Sequence, residues 1–198
     1  MIKWIGGTMP NAFEVLAKDH DEVMRMLAEL EVGPVAATGA SSDQIALRGQ
    51  IVQQLVIEES KHEAVEEMYF WPIVRERLAN GDDLADLAQD QEQQGKFILD
   101  RLDKVTPGDE EFEAQVAHFI QTGRAHIAFE EETVWPALRA ALTADEAENL
   151  GRELEDGKEN APTRPHPNTP TSPGLRKVAG AVVAAADRLR DAATGRDE

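Results

Sequence analysis

Two segments of the chain repeat one pattern of residues that can bind a metal ion. Residues 62–72 read HEAVEEMYFWP and residues 126–136 read HIAFEEETVWP, so both fit H-x-A-x-E-E-x-x-x-W-P. In each copy a glutamate follows a histidine by four residues, and helical geometry puts residues at that spacing on one face. Two such helices facing each other would bring imidazole nitrogens and carboxylate oxygens together at a common point.

A single histidine and glutamate at this spacing is more often an ordinary surface ion pair, which contributes little. Here both pairs, His62 with Glu66 and His126 with Glu130, are surrounded by apolar residues and followed by Trp-Pro. A solvent-exposed helix face would need neither the apolar neighbours nor the Trp-Pro pair in both copies. The repeat therefore favours a metal-ligand set over two unrelated ion pairs.

The composition limits the function classes. The 198 residues suit one domain with an appendage, and a net charge of −18 argues against nucleic acid or an anionic membrane as the main partner. The absence of cysteine excludes disulfides, thiolate metal sites and iron–sulfur clusters. The N-terminus does not resemble a signal peptide, and no stretch approaches the roughly 20 apolar residues of a transmembrane helix. We therefore expect a cytoplasmic protein.

Helical periodicity and punctuation predict the elements that must position these residues. We expect long helices over about 11–32, 43–79, 82–106 and 109–142, and a short fifth helix from Thr143. Pro72 and Pro136 fall inside the second and fourth helices and should kink them. Long amphipathic helices joined by short loops predict an all-α fold, an antiparallel up-down four-helix bundle with ligands projecting into its core.

The chain is expected to divide into three parts: a bundle over 11–158, a proline-rich linker over 159–174 and an amphipathic tail over 175–198. The linker should decouple the tail from the bundle. We expect the tail to dock on the bundle, on a second copy of the chain or on another protein, and we expect no membrane role because its stripe lacks aromatic anchors. That apolar stripe comprises Leu175, Val178, Ala179, Val182, Val183, Ala186 and Leu189.

The other two long helices offer further ligands. His20 lies on the apolar side of the first helix, where a partner for the two repeated motifs is needed. The third helix has no histidine, but aligning its apolar positions with those of the first puts Glu92 opposite His20. The alignment leaves Gly95 at an apolar position, so Asp90, Gln91 and Gln93 remain alternatives.

The resulting candidate set combines three imidazoles and three carboxylates: His20, His62, Glu66, Glu92, His126 and Glu130. Nitrogen and oxygen ligands without sulfur suit iron or manganese better than structural zinc. Six ligands exceed what one tetrahedral ion takes, and carboxylates can bridge two ions roughly 3.5–4 Å apart.

At these residues the sequence resembles the hemerythrin-like family with its HHE cation-binding pattern, over about residues 11 to 142. The resemblance implies a non-haem site of two iron ions, oxo- or hydroxo-bridged, with Glu66 and Glu130 as bridging ligands. It also implies functions that range from oxygen binding, through oxygen or iron sensing, to the handling of nitric oxide or peroxide.

One departure from the family pattern bears on the chemistry. The histidine expected on the third helix is replaced, in our assignment by Glu92. An anionic ligand lowers the charge of the site and favours ferric iron, which predicts reaction with hydrogen peroxide or nitric oxide rather than reversible oxygen carriage. The alternative is a regulatory protein whose metal site senses oxygen or iron and controls a partner through the tail.

Tyr69, the single tyrosine, lies three residues beyond Glu66 and so could share its face. Two interpretations remain open. Its phenol could hydrogen-bond an oxygen ligand at the metals and act in catalysis, or the residue could be an ordinary core tyrosine.

Overall fold

The helices form four long rods followed by one shorter helix in this computed structural model, which describes residues 10–168 and 183–192. The predicted all-α bundle is confirmed. Its α-helical segments and two π-helical turns are α1 (Ala12–Val32), α2 (Ser42–Val65), the turn Glu66–Phe70, α3 (Trp71–Arg77), α4 (Gly81–Leu102), α5 (Glu110–Phe129), the turn Glu130–Val134, α6 (Trp135–Ala141) and α7 (Ala144–Lys158).

Capping boxes begin three of these helices, α1, α2 and α7. The Asn11 side chain accepts hydrogen bonds from the backbone N–H groups of Phe13 and Glu14, and the Glu14 carboxylate accepts one from the N–H of Asn11. Thr143 and Glu146 make the same reciprocal pair at α7. These bonds satisfy amides that the first turn of a helix leaves unpaired.

A π turn interrupts the second and fourth rods immediately before each Trp-Pro. The backbone N–H of Trp71 bonds to the carbonyl of Glu66, and that of Trp135 bonds to the carbonyl of Glu130. Proline supplies no amide hydrogen, and a turn with five-residue spacing accommodates that loss without ending the rod. The disruption predicted at the prolines thus takes the form of two wide turns, each starting at a motif glutamate.

Two apolar clusters fill the bundle on either side of the candidate ligands. One contains Phe13, Leu16, Phe70 and Trp71 among others, and the second contains Val23, Leu27, Leu99 and Phe119. On α1, His20 lies between Leu16 of the first cluster and Val23 of the second. The candidate site is therefore a polar layer enclosed by apolar packing.

The third rod buries Ile98, Leu99 and Leu102 but leaves Leu87 and Phe97 48% and 54% exposed. Near Glu92 its buried face carries small residues such as Ala85, Ala88 and Gly95. Small side chains allow close approach of α4 to its neighbours around Glu92. None of the described helices is long and apolar enough to cross a membrane.

The proline-rich segment does not decouple the tail in the way we predicted. Ala161 and Thr163 are buried, and Arg164 bridges Asp103, the residue that follows α4, to Asp191 near the C-terminus. Short extended segments rich in proline order readily once ion pairs and buried side chains hold them. Residues 159–168 therefore pack against the bundle.

The tail also differs from the predicted amphipathic helix. Its stripe residues before Val183 lie outside the described part of the chain. Among residues 183–192, which are helical, Ala184 is buried but Ala186 and Leu189 are exposed. Asp187 and Asp191 are buried instead, because they bind His166 and Arg164. This part of the tail is held by ion pairs rather than by an apolar stripe.

Candidate metal centre

The bundle brings the six candidate ligands together in two overlapping groups. His20, His62, Glu66 and Glu130 form one group, and Glu66, Glu92, His126 and Glu130 form the other. Within each group, one ligand atom from every residue lies within 4.8 Å of the others, and all six residues are buried. The two motif glutamates belong to both groups, which is the arrangement that two bridged ions require.

The donor atoms that face this point have no hydrogen-bond partner. They are Nε2 of the three histidines, both carboxylate oxygens of Glu66 and of Glu130, and Oε2 of Glu92. Nε2 of His62 lies 3.2 Å from Oε2 of Glu66, and Nε2 of His126 lies 3.2 Å from Oε1 of Glu130. Buried polar atoms are normally satisfied, so convergent unsatisfied nitrogen and oxygen donors fit bound cations.

Each histidine is fixed through its other ring nitrogen. Nδ1 of His20 lies 2.9 Å from Glu131, Nδ1 of His62 lies 3.2 Å from Asp19, and Nδ1 of His126 lies 3.0 Å from Gln91. All three partners offer an oxygen, so each Nδ1 carries the hydrogen and donates it. In the neutral imidazole that tautomer leaves the Nε2 lone pair to a metal, as outer partners of metal-bound histidines usually ensure.

Sequence reasoning missed these outer partners, although a signal existed. Asp19 and Gln91 directly precede His20 and Glu92, and each reaches the motif histidine of the neighbouring rod. The second glutamate of each Glu-Glu pair also contacts a residue on another rod. Glu131 binds His20, and its counterpart in the first motif, Glu67, binds Lys96. The duplicated motif thus extends to the residues that orient the ligands.

Both motif tryptophans contact a ligand from the opposite half of the bundle. The indole N–H of Trp71 donates to Oε1 of Glu92. The indole of Trp135 stacks on His20, with ring centroids 4.9 Å apart and planes 12° apart. The tryptophan of each Trp-Pro pair therefore positions a candidate ligand: Trp71 positions one on α4, and Trp135 positions one on α1.

Glu92 is the third-rod residue that reaches the cluster. Gln91 binds His126 from outside it, Gln93 donates to the carbonyl of Pro167, and Asp90 is exposed. Lys96, one turn beyond Glu92 and 12% exposed, places Nζ 4.0 Å from Oε2 of Glu92. The same ammonium lies 2.5 Å from Glu67 and 3.7 Å from Glu63. A buried cation thus accompanies the extra carboxylate.

Burial and mutual contact shift the pKa values of these groups. Burial by itself would lower the pKa of His126, but Glu130, Glu92 and Glu66 outweigh it and raise the pKa to about 10. The pKa of His62 is likewise raised well above its ordinary value by Glu66 and Asp19 despite burial. Burial, opposed in part by Lys96, raises the pKa of Glu92 well above its ordinary value. The metal-free site holds protons that a metal would have to displace.

Tyr69 lies against a helix that supplies none of the six candidate ligands. Its ring edge meets Gly157 of α7, where an added Cβ would come within 2.6 Å of Cε2. The π turn that starts at Glu66 changes the angular spacing along the rod, so the face predicted from regular α-helical geometry does not hold here. Of the other histidines, His118 is exposed and His166 pairs with Asp187.

Comparison with known proteins identifies the family. The family model named hemerythrin HHE cation-binding domain matches residues 11–138 of the sequence. The chain belongs to this family. Membership implies a metal-binding helical protein, and the buried cluster of histidine and glutamate residues is the candidate site.

Several relatives share the sequence or the fold. An uncharacterized hemerythrin-like protein of Schizosaccharomyces pombe is 24% identical over 96% of this chain and 90% of its own length. A DNA nickase of Nostoc sp. is 25% identical over 75% of this chain, a match that spans 39% of the nickase. The crystal structure of a hemerythrin HHE cation-binding domain-containing protein from Mycobacterium kansasii has the same fold, with a TM-score of 0.62, 24% identity and coverage of 76% of this chain and 86% of that one.

Proposed function

We propose that the protein is a non-haem di-iron protein that binds and reacts with small oxidants, namely hydrogen peroxide, nitric oxide or oxygen. The observation that carries this proposal is the sharing of Glu66 and Glu130 by two ligand groups. A single ion would not need two buried carboxylates between two sets of terminal ligands. His20 and His62 would complete one iron position, and Glu92 and His126 the other.

The donor chemistry supports iron. Three imidazoles and three carboxylates without sulfur suit iron or manganese. When bound, two neighbouring irons supply Lewis acidity and accept or release electrons. The chain's own residues hold the ligands and exclude bulk water: Trp71 fixes one oxygen of Glu92, Trp135 covers His20, and the apolar clusters enclose the layer.

The anionic ligand on α4 supports reaction with oxidants over reversible carriage. Glu92 stands where the family pattern has a neutral histidine, and a carboxylate favours the ferric state. Lys96 limits that effect because its ammonium lies 4.0 Å from the Glu92 oxygen. We infer a predominantly ferric resting site that peroxide or nitric oxide can reach.

Metal analysis with an absorption spectrum of the purified protein tests the proposal. We expect two irons per chain and near-ultraviolet absorption from a bridged ferric pair. Glu66→Ala should lose both ions, because it removes a ligand that both share. Glu132→Ala, an exposed glutamate in the second π turn, is the matched control and should keep both. One zinc per chain and no iron would overturn the proposal.

A regulatory role is the second candidate, and one contact favours it. Gln93, next to Glu92 on α4, donates a hydrogen bond of 2.8 Å to the carbonyl of Pro167. This bond joins the C-terminal segment to a helix that carries a candidate ligand. Metal loading could then change how the tail is held for a protein partner or a second copy of the chain. Protease cleavage after residue 158 that is equally fast in metal-loaded and metal-free protein would reject this candidate.

Nucleic-acid binding is not part of the proposal. The name DNA nickase describes the Nostoc protein, most of which lies outside the match. The net charge of −18 on this chain would repel phosphates rather than gain affinity from them.

A further inference from the structure

A cleft outside the candidate metal centre lies between the bundle and the C-terminal segment of residues 159–168. Its volume is about 370 Å³, and the described residues that line it include none of the six candidate ligands. One side is formed by α2, the π turn that starts at Glu66 and α4, and the other by α7, residues between 160 and 166, and Val183 of the tail. Cavities that bind small molecules commonly have volumes of about 300–1,000 Å³, so this space is large enough for a ligand.

The two copies of the duplicated motif differ where the first copy borders this cleft. Met68 and Tyr69 line it, and the corresponding residues of the second copy are Glu132 and Thr133, both of which are exposed. The histidine and the two adjacent glutamates of the motif are the same in both copies, so metal binding does not require the apolar pair. Met68 and Tyr69 therefore belong to the cleft rather than to the metal-binding pattern.

Apolar side chains from both sides contribute to the wall. Ala64, Met68 and Tyr69 contribute from the second rod, and Pro162 and Pro165 contribute from the C-terminal segment. A methionine thioether and a tyrosine ring both make favourable contacts with aromatic groups. The wall therefore favours a flat, largely apolar ligand.

The cations of the wall are already paired with carboxylates. The Lys96 ammonium lies 2.5 Å from Glu67, the Arg164 guanidinium lies 2.7 Å from Asp191, and His166 pairs with a buried aspartate of the tail. An anionic ligand would have to displace one of these carboxylates, and the net charge of −18 opposes its approach. A cationic ligand would have to displace the lysine or the arginine. The cleft therefore suits a neutral molecule.

We propose that this cleft binds a neutral aromatic molecule of several rings and that the C-terminal segment forms its outer wall. Gln93 and Asn160 add amide groups that can form hydrogen bonds with a polar substituent of such a ligand. The site is distinct from the candidate metal centre and does not depend on the proposed reaction with oxidants. The proposal also gives the C-terminal segment a role, because its ion pairs hold it where it encloses a space beside the second rod.

Two fluorescent probes with the same ring system test the ligand class. N-phenylnaphthylamine is neutral, and anilinonaphthalene sulfonate has the same rings with an added negative charge. We expect the purified protein to bind the neutral probe at least about tenfold more tightly than the sulfonate. Failure of the neutral probe to bind, or equal or tighter binding of the sulfonate, would overturn the proposal. This readout does not depend on iron, so its failure is distinguishable from failure of the proposed function.

The repeat supplies a matched pair of variants that locates the probe. Ala64→Phe places a ring in the cleft, and Ala128→Phe makes the same change at the corresponding position of the second copy, which is exposed. Loss of space for one buried ring should weaken binding of the neutral probe by about tenfold or more, whereas Ala128→Phe should bind it as the wild type does. Equal binding by the two variants would place the probe outside the cleft and reject the assignment.

A second pair changes polarity instead of filling the space, in case Ala64→Phe does not fold. Met68→Glu gives the first copy the residue type that the second copy carries, so the π turn should accept it. Met24→Glu is the control, at a methionine of α1 that is 37% exposed and does not line the cleft. The charge should weaken binding of the neutral probe by about tenfold in Met68→Glu alone. A Met68→Glu protein that binds the probe as Met24→Glu does would contradict the proposal.

A third pair tests the outer wall. Val183 and Leu189 lie in the same helical part of the tail, but Val183 lines the cleft whereas Leu189 is 75% exposed. Val183→Trp should fill the space from the tail side and weaken binding of the neutral probe by about tenfold, and Leu189→Trp should not. Unchanged binding in Val183→Trp would show that the tail does not enclose the site.

Discussion

The indole ring of Trp135 stacks on the imidazole ring of His20. The two ring planes are 12° from parallel, and the ring centroids lie 4.9 Å apart. The repeat counterpart of Trp135, Trp71, instead donates a hydrogen bond to Glu92. The indole nitrogen of Trp135 is buried without a hydrogen-bond partner. The same motif residue therefore supports a ligand by ring stacking in one half and by donation in the other, because α1 presents an imidazole and α4 a carboxylate.

This difference predicts unequal effects of one substitution at the two positions. Among the described residues, Trp71 alone donates a hydrogen bond to the Glu92 carboxylate. We expect Trp71→Phe, which removes it, to lower the free energy of unfolding by about 1–3 kcal/mol. Iron affinity should fall by roughly 10–100-fold, as for other outer partners of metal ligands. Urea unfolding and iron titration measure the two effects.

Trp135→Phe is the internal control. Phenylalanine retains an aromatic face for His20 and removes an indole N–H that has no partner. We expect a stability change under about 1.5 kcal/mol, the size of an aromatic stacking contribution, and iron affinity within a few-fold of the wild type. Equal losses in the two variants would show that the Trp71 hydrogen bond does not position Glu92.

Removal of metal should destabilise the fold more than loss of any one ligand contact. Three buried carboxylates and three imidazoles meet at one layer, and without cations their facing donor atoms pair only with one another. Metal that binds the folded state alone stabilises it by about 4 kcal/mol at a free concentration 1,000 times the dissociation constant. Chelation should therefore lower the melting temperature. A transition that does not move on chelation and reloading would contradict this prediction.

Metal-free and metal-loaded protein should respond to pH in opposite directions. In the metal-free fold the pKa of His126 is about 10 against an ordinary value of 6.5, so between these values the folded state binds more protons than the unfolded state. Its stabilising contribution is complete below pH 6.5 and is lost as the pH rises towards 10. In loaded protein acid competes with metal, so stability falls as the pH drops.

Urea unfolding of metal-free protein at pH 6, 8 and 10 measures this linkage. His126→Gln should flatten the decline because it removes a group that titrates in this window. Metal addition at pH 7 to lightly buffered wild type should release protons, because imidazolium and protonated carboxyl groups must lose theirs to bind. A metal-free protein whose stability rises from pH 6 to pH 10 would show that these imidazoles are neutral before loading.

The sequence was sufficient to predict the bundle and the six clustered residues because both depend on helical periodicity. His62 and Glu66 share a face through local geometry alone, and the duplicated motif shows that the two rods must face each other. Glu92 followed from aligning α4 with α1, since its environment repeats that of His20. Whether all six bind metal remains a prediction that loading experiments must decide.

Features that depend on a local break in periodicity, or on contacts distant in sequence, could not be predicted in this way. The π turn at Glu66 turns Tyr69 towards Gly157, which a regular α-helix would not do. The contact of Arg164 with Asp103 joins positions far apart in the chain, and nothing in a proline-rich composition indicates it. Composition correctly predicted that residues 159–168 form neither helix nor strand, but it did not indicate their docking.

That docking leads to the last prediction, which concerns Arg164. Its side chain is 19% exposed, and its guanidinium donates hydrogen bonds of 2.7 Å to Asp103, which follows α4, and to Asp191 in the tail. Arg164 therefore joins three parts of the chain. Arg164→Met keeps the apolar stem and removes the charge-assisted hydrogen bonds. We expect a loss of about 2 kcal/mol in the free energy of unfolding and faster proteolysis after residue 158, because the buried Asp191 loses the hydrogen bonds that this guanidinium donates. Iron content should not change, since none of the six candidate ligands contacts this arginine.

Arg152→Met, on the exposed face of α7, is the matched control. It should leave both the free energy of unfolding and the rate of proteolysis near the wild-type values. If Arg164→Met unfolds and is cleaved like the control, the C-terminal segment is a decoupled linker after all, as its proline content alone would predict.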